Sequence, residues 1–181
     1  MKKILSAVIA VVISLLSVCV SYGADLNISA QSAVLICAES GEILFERNAD
    51  KQLSMASTTK IMTSLLALEA GTPNREIVVT EEMVSVEGTS MGLVAGDSVS
   101  LIELVYGMLL QSGNDAANTV AYVIGGSPEG FADMMNARAD KIGMKNTNFV
   151  TASGLDDDEH YSTAHDMALL AAECLKNPGF A

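Results

Sequence analysis

Tryptophan is absent from these 181 residues, and proline (3), cysteine (3), phenylalanine (4), tyrosine (4) and histidine (2) are scarce. Basic residues are few as well: ten lysines and arginines stand against 22 acidic residues, for a formal charge of -12 at pH 7. Such a surface repels a phosphate backbone, which argues against nucleic acid as a partner. Otherwise the acidity bears on solubility rather than on chemistry. The cysteines stand at positions 19, 37 and 174, and no Cys/His spacing suits a metal. Cys37 falls in an apolar strand pattern and Cys174 in a helical one, so both are expected as buried thiols. A disulfide between them is the alternative in an exported protein. Repeats, low-complexity tracts and interdomain linkers are also missing, which leaves one domain. Half of its residues are hydrophobic, enough to build a sizeable core without disulfides or metals.

Long uncharged apolar runs occur once, from Ile4 to Val20, behind Met1-Lys2-Lys3 and ahead of Ser21-Tyr22-Gly23-Ala24. This pattern reads as a secretory signal over residues 1–23, cleaved after Gly23, with the working domain at residues 24–181. An uncleaved membrane anchor is the rival reading. A lipid-attachment site at Leu16-Ser17-Val18-Cys19 is weaker, because valine is unsuited to the position before the modified cysteine. Each reading puts the domain outside the cytoplasm.

Ala33–Ala38 and Ile43–Phe45 flank Glu39-Ser40-Gly41-Glu42 and predict a β-hairpin. The consecutive Val34, Leu35 and Ile36 predict a strand covered on both faces. Apolar spacing predicts a helix over 58–70 that stops at Gly71, with Ser57 in or just before its first turn, and the Ile and Val of 76–80 suggest a short strand. Residues 89–97 read as irregular, and Ser98 or Ser100 as the cap of a helix through Leu101, Leu104, Val105, Met108 and Leu109. Gln111-Ser112-Gly113 interrupts it, and Asn114 or Asp115 opens the next helix, ended by Gly125-Gly126. Ser127-Pro128-Glu129 caps a third, through Phe131, Met134, Met135, Ala139 and Ile142 to Gly143. A short extended piece is expected at 148–150, and a last helix capped by Ser162 runs through Met167, Leu170, Ala171 and Leu175.

Among seven lysines only Lys60 has a serine, Ser57, three positions before it. On a helix that spacing places both side chains on one face, with Cβ atoms about 5–6 Å apart. A serine hydroxyl needs a base to take its proton, and a lysine serves only where burial or a neighbouring cation makes its neutral form accessible. Met55, Ala56, Ile61 and Met62 supply such surroundings. The helix N-terminus favours negative charge at a tetrahedral centre. Taken alone, Ser-x-x-Lys also fits a capping serine and a solvated lysine. Ser112-Gly113-Asn114 alone fits an ordinary interhelical turn. Set between two buried helices, however, Ser112 could pass a proton to a leaving amine while Asn114 donates to a substrate amide.

In this order the two motifs resemble the site of the penicillin-binding protein and serine β-lactamase superfamily. Ala56–Thr63 (Ala-Ser-Thr-Thr-Lys-Ile-Met-Thr) and Leu110–Ala117 (Leu-Gln-Ser-Gly-Asn-Asp-Ala-Ala) are similar to the low-molecular-weight D-alanyl-D-alanine carboxypeptidases. Gly154-Leu155, His160–Ala164, Asp166–Ala168 and the hairpin extend the likeness over residues 33–175. The resemblance implies an α+β fold, a mixed antiparallel sheet flanked by helices. It implies Ser57 as acylated nucleophile, Lys60 as general base, and Ser112 and Asn114 as the second motif. The implied substrate is a peptidoglycan pentapeptide that loses its terminal D-alanine, with β-lactams as covalent inhibitors and no cofactor.

Such proteins also carry a Lys-Thr-Gly strand, and no Lys-Thr-Gly stands in these residues. The chain is therefore expected to supply the N-terminal hairpin and helical cluster of an incomplete transpeptidase fold. An inactive remnant is the alternative, and a serine β-lactamase a lesser one, since Glu159 lacks an asparagine four residues on. Asp156–Glu159 with His160 reads as a solvated acidic face rather than a metal site, and His165 as a surface or capping residue. The methionines fit helical core positions. The expected setting is the extracytoplasmic face of the membrane, the wall or the periplasm, with membrane-surface association if the leader is retained.

Overall fold

In the computed structural model, which describes residues 26–181, the first element is the expected hairpin. Strand β1 (Ala33–Ile36) pairs antiparallel with β2 (Ile43–Arg47), with an irregularity in register between Leu35 and Ile36. The leader expected at 1–23 lies outside the described residues. Among the described residues no helix is long and apolar enough to cross a membrane. Gln31–Ala181 cluster as one unit.

A 3-10 turn (Ala56–Thr59) runs directly into helix α1 (Lys60–Glu69). Strand β3 (Glu76–Val78) follows, then the short helix α2 (Glu81–Val84) and strand β4 (Ser98–Ser100), which pairs antiparallel with β3. Neither α2 nor β4 is apparent from periodicity, because elements of three or four residues are too short to show one. Helices α3 (Leu101–Gln111), α4 (Asn114–Gly125), α5 (Pro128–Ile142) and α6 (Ala164–Cys174) complete the chain.

Helix α1 is central, packed against α3, α4, α5 and α6. Its Met62 and Leu65 are fully buried, as are Leu104 of α3, Ala116, Ala117 and Val120 of α4, Phe131 and Met135 of α5, and Leu170 of α6. On α5 the buried residues Phe131, Met135 and Ala139 follow an i, i+4 spacing. Met134, expected on that face, falls beside it and is exposed. At one rim Arg138 of α5 makes a two-point ion pair with Glu69 of α1 and reaches Glu173 of α6 at 2.7 Å, tying three helices together.

Caps explain the helix starts. Ser100 and Glu103 form a reciprocal capping box, the Ser100 N–H donating to Glu103 at 2.7 Å. Replacing Ser100 by alanine is expected to destabilise the protein by about 1 kcal/mol, seen as a melting temperature lower by roughly 2–4 °C in thermal unfolding. At α6 the cap is Thr163, whose hydroxyl accepts from Asp166 N–H at 3.1 Å, and not the expected Ser162. Ser162 instead pairs its backbone with Leu53 and its hydroxyl with Thr147. The expected extended piece appears as a single bridge between Asn148 and Tyr161.

The hairpin corrects one expectation. Helix α6 packs on β1, yet Leu35 (55 % exposed), Ile43 (44 %) and Leu44 (59 %) face outward. A run of consecutive apolar residues signals two-sided burial only where a second layer exists, and among the described residues none covers that face. Cys37 is half-buried rather than buried, Cys174 is buried, and both are free thiols.

Candidate active site

The junction of the 3-10 turn and α1 puts Ser57 at the surface and Lys60, three residues on, in the interior, with Lys60 only 1 % exposed. Lys60 Nζ lies 3.1 Å from Ser57 Oγ and 3.5 Å from Ser112 Oγ. It also donates to the Ser153 carbonyl at 2.8 Å. The Ser112 hydroxyl donates to Ser57 Oγ at 2.9 Å. Three side chains from two distant segments thus share one hydrogen-bonded cluster. Burial pulls the Lys60 ammonium below the ordinary lysine value, because the charged form loses its hydration.

Ser112 caps α3 in the left-handed region (φ 56°, ψ 33°), a strained conformation for a residue with a side chain. Its neighbours hold it there. Thr89 Oγ1 donates to the Ser112 carbonyl at 2.6 Å, and the Asn114 N–H donates to the Thr89 carbonyl at 2.7 Å. Asn114 is buried, and its Nδ2 donates to the Glu87 carbonyl at 2.6 Å, which commits one of its two amide protons.

The next residue organises that irregular segment. Asp115 is 2 % exposed, and its carboxylate accepts from Ser90 Oγ (2.6 Å) and from the N–H groups of Met91, Gly92, Leu93 and Ala116 at 2.9–3.0 Å. Burial alone would push this carboxyl up, but the Ser90 hydroxyl and the surrounding N–H groups hold it below its ordinary value. A carboxylate with five donors fastens residues 90–93 over the Ser112 turn. The spacing marks Asp115 only as a helix start, since four of its five donors lie more than twenty residues away in a segment without periodicity.

One further group is not visible in the sequence, and one expectation is corrected. The Ser153 carbonyl is a backbone acceptor, invisible to a search for side-chain motifs. His160 follows an acidic run that is exposed, as expected, from Asp156 to Glu159, yet the imidazole itself is 2 % exposed and turned inward. His165 is partly exposed beside Asp50, 3.6 Å away, in keeping with a surface role. Among the described residues no group of three metal-ligating side chains converges.

Residues 20–179 match the D-alanyl-D-alanine carboxypeptidase family, peptidase S11. The chain belongs to that family. It is 39% identical over 157 residues to the D-alanyl-D-alanine carboxypeptidase DacF of Bacillus subtilis, covering 84% of this chain and 40% of that protein. The crystal structure of the carboxypeptidase DacD from Francisella tularensis superposes with a TM-score of 0.81 at 42% identity, over 85% of this chain and 38% of that one. Penicillin binding protein 6B from Escherichia coli superposes at 0.79 with 35% identity, over 83% and 51%. The α+β fold is thus that of the penicillin-binding carboxypeptidases, in part. The chain spans about two fifths of the length of its curated relative. The segments aligned with this carboxypeptidase family include both Ser57-x-x-Lys60 and Ser112-x-Asn114.

Proposed function

We propose that the protein carrying this chain is a serine D-alanyl-D-alanine carboxypeptidase that works through an acyl-enzyme on Ser57. The carrying observation is the contact of Ser57 Oγ with both Lys60 Nζ (3.1 Å) and Ser112 Oγ (2.9 Å) at the head of a buried helix. Neutral Lys60 takes the proton of Ser57 Oγ as that oxygen attacks the carbonyl carbon of the penultimate D-alanine. When the C–N bond breaks, the Ser112 hydroxyl protonates the leaving amine of the terminal D-alanine and is reprotonated from Lys60. Water then hydrolyses the ester, freeing the shortened peptide and Ser57. The remaining amide proton of Asn114 is available to the substrate's backbone carbonyl.

The substrate class follows from the family: a peptidoglycan stem peptide ending in D-Ala-D-Ala, met outside the cytoplasm. β-Lactams would acylate the same serine. A β-lactamase reading gains nothing from the geometry, because Glu159 is exposed while the inward-facing neighbour is His160.

The test is release of D-alanine from a synthetic peptide ending in D-Ala-D-Ala by the full-length protein. Release that disappears in Ser57→Ala is expected; equal release by that variant would refute the assignment. The pH profile carries a second expectation. Only the amine form of Lys60 can accept the serine proton, so acylation should accelerate with rising pH and level off above the Lys60 pKa. Burial holds that pKa below the ordinary lysine value, so the rise should end earlier than for a solvated lysine. A stopped-flow series in β-lactam acylation from neutral to alkaline pH checks the sign, and a rate that falls over this range would contradict it.

A further inference from the structure

The nucleophile turn is held from behind by a ring that the mechanism above does not use. His160 Nε2 lies 2.8 Å from Thr59 Oγ1, and Thr59 separates Ser57 from Lys60 by sitting at the junction of the 3-10 turn and α1. The other ring nitrogen, Nδ1, accepts from the N–H of Val150 at 2.9 Å and of Thr151 at 3.3 Å. Because Nδ1 is an acceptor, the neutral ring carries its proton on Nε2 and donates it to Thr59. Phe149 packs edge-on against the imidazole, with ring centroids 5.9 Å apart. Thr59 has no capping bond to its own helix; its hydroxyl oxygen accepts from His160 Nε2–H instead.

The segment bound by Nδ1 is the one that carries the Ser153 carbonyl, to which Lys60 Nζ donates. Thr151 Oγ1 accepts from the Gly154 N–H at 3.1 Å, so the chain from 150 to 154 is bonded within itself. The nucleophile turn needs such support, since Ala56, its first residue, has φ 44°, unfavourable for a residue with a Cβ. Local spacing alone therefore does not set the distance between Ser57 Oγ and Lys60 Nζ.

We propose that His160 is a positioning residue for the Ser57/Lys60 pair: its imidazole clamps the Thr59 junction to the 150–154 segment that anchors Lys60. The proposal rests on the reading of Ser57 as nucleophile and Lys60 as base. Reactivity is steep in such geometry, and a displacement near 1 Å costs about 10²-fold.

Two replacements separate the two ends of the ring. In His160→Gln the side-chain amide can still reach Thr59 as a donor, in the place of Nε2. In His160→Asn the shorter amide keeps an acceptor for Val150 N–H, in the place of Nδ1, and loses Thr59. Each keeps one end of the link and cuts the other, and both remove the aromatic ring and its packing on Phe149, so a variant that leaves the ring in place is needed to isolate the link. Thr59→Val keeps the shape of Thr59 and removes only the hydroxyl, which guards against a histidine variant that fails to fold.

The experiment measures the second-order rate of acylation by a fluorescent penicillin in the full-length protein, with melting temperatures alongside. Expected are falls of about 10- to 100-fold in His160→Asn, in His160→Gln and in Thr59→Val, since each cuts the link between Thr59 and the 150–154 segment at one end. The double variant His160→Asn/Thr59→Val should be no slower than either single one, since both cut the same link. An unchanged rate in Thr59→Val or in either histidine variant, or a double variant slowed by the product of the two single losses, would overturn the clamp while leaving the acyl-enzyme reading intact. Failure of the unmodified protein to label would remove that reading and the clamp with it.

Discussion

Lys60→Met should slow acylation of Ser57 by about 10²–10⁴-fold while changing the stability of the fold by no more than about 1–2 kcal/mol. Methionine fills much of the volume of a side chain that is 1 % exposed and removes a desolvated ammonium. Removing the desolvated ammonium offsets the loss of the donor to the buried Ser153 carbonyl, so the net change in stability should be small. Chemistry, by contrast, loses its proton acceptor. The other group touching Ser57 is the Ser112 hydroxyl at 2.9 Å, far too weak a base to replace an amine. The variant should also lose the alkaline rise in rate, because the group that titrates is gone. Stopped-flow acylation and a thermal melt on the same preparation check both halves. A rate within threefold of the parent would place the base elsewhere.

Gly154→Ala should cost about 3–5 kcal/mol, a large loss for the addition of one methyl group. Gly154 adopts φ +83°, and a Cβ there would overlap the Ala56 carbonyl oxygen and crowd Thr59 Oγ1 at 2.8 Å. The overlap is with backbone on the nucleophile turn, so relief requires moving either that turn or the segment bearing the Ser153 carbonyl. Gly71→Ala is the control, with φ +72° but nothing within 4 Å of the added atom, so conformational strain alone applies, about 1 kcal/mol. Thermal unfolding should show Gly154→Ala melting roughly 10 °C lower, and Gly71→Ala only a few degrees lower. Similar shifts for the two would mean that the contact between Gly154 and Ala56 is unimportant.

What could be read in the sequence and what could not divide along the range of the interactions. Ser57 and Lys60 are three residues apart, so their spacing marks them as neighbours on one face, and the helices around them announce themselves by period and cap. Ser112 joins them across 55 positions, a contact that spacing cannot derive and that rested on likeness to a family. Asp115 illustrates the opposite case: a short motif ends at Asn114, yet the residue that fastens residues 90–93 is its neighbour. His160 was hidden by its company, since three aspartates and a glutamate precede it and the reversal from exposed to buried occurs between Glu159 and His160. The exposed Leu35, Ile43 and Leu44 show that apolar character marks a demand for cover without supplying the layer that meets it.

The most direct measurement is peptide mapping by mass spectrometry after the full-length protein is treated with a β-lactam. An adduct on Ser57, within the peptide Gln52–Lys60, is the predicted result, absent in Ser57→Ala and slow to hydrolyse. An adduct on another residue, or none in a folded protein, would contradict the central claim that Ser57, with Lys60 and Ser112, is the acylated centre.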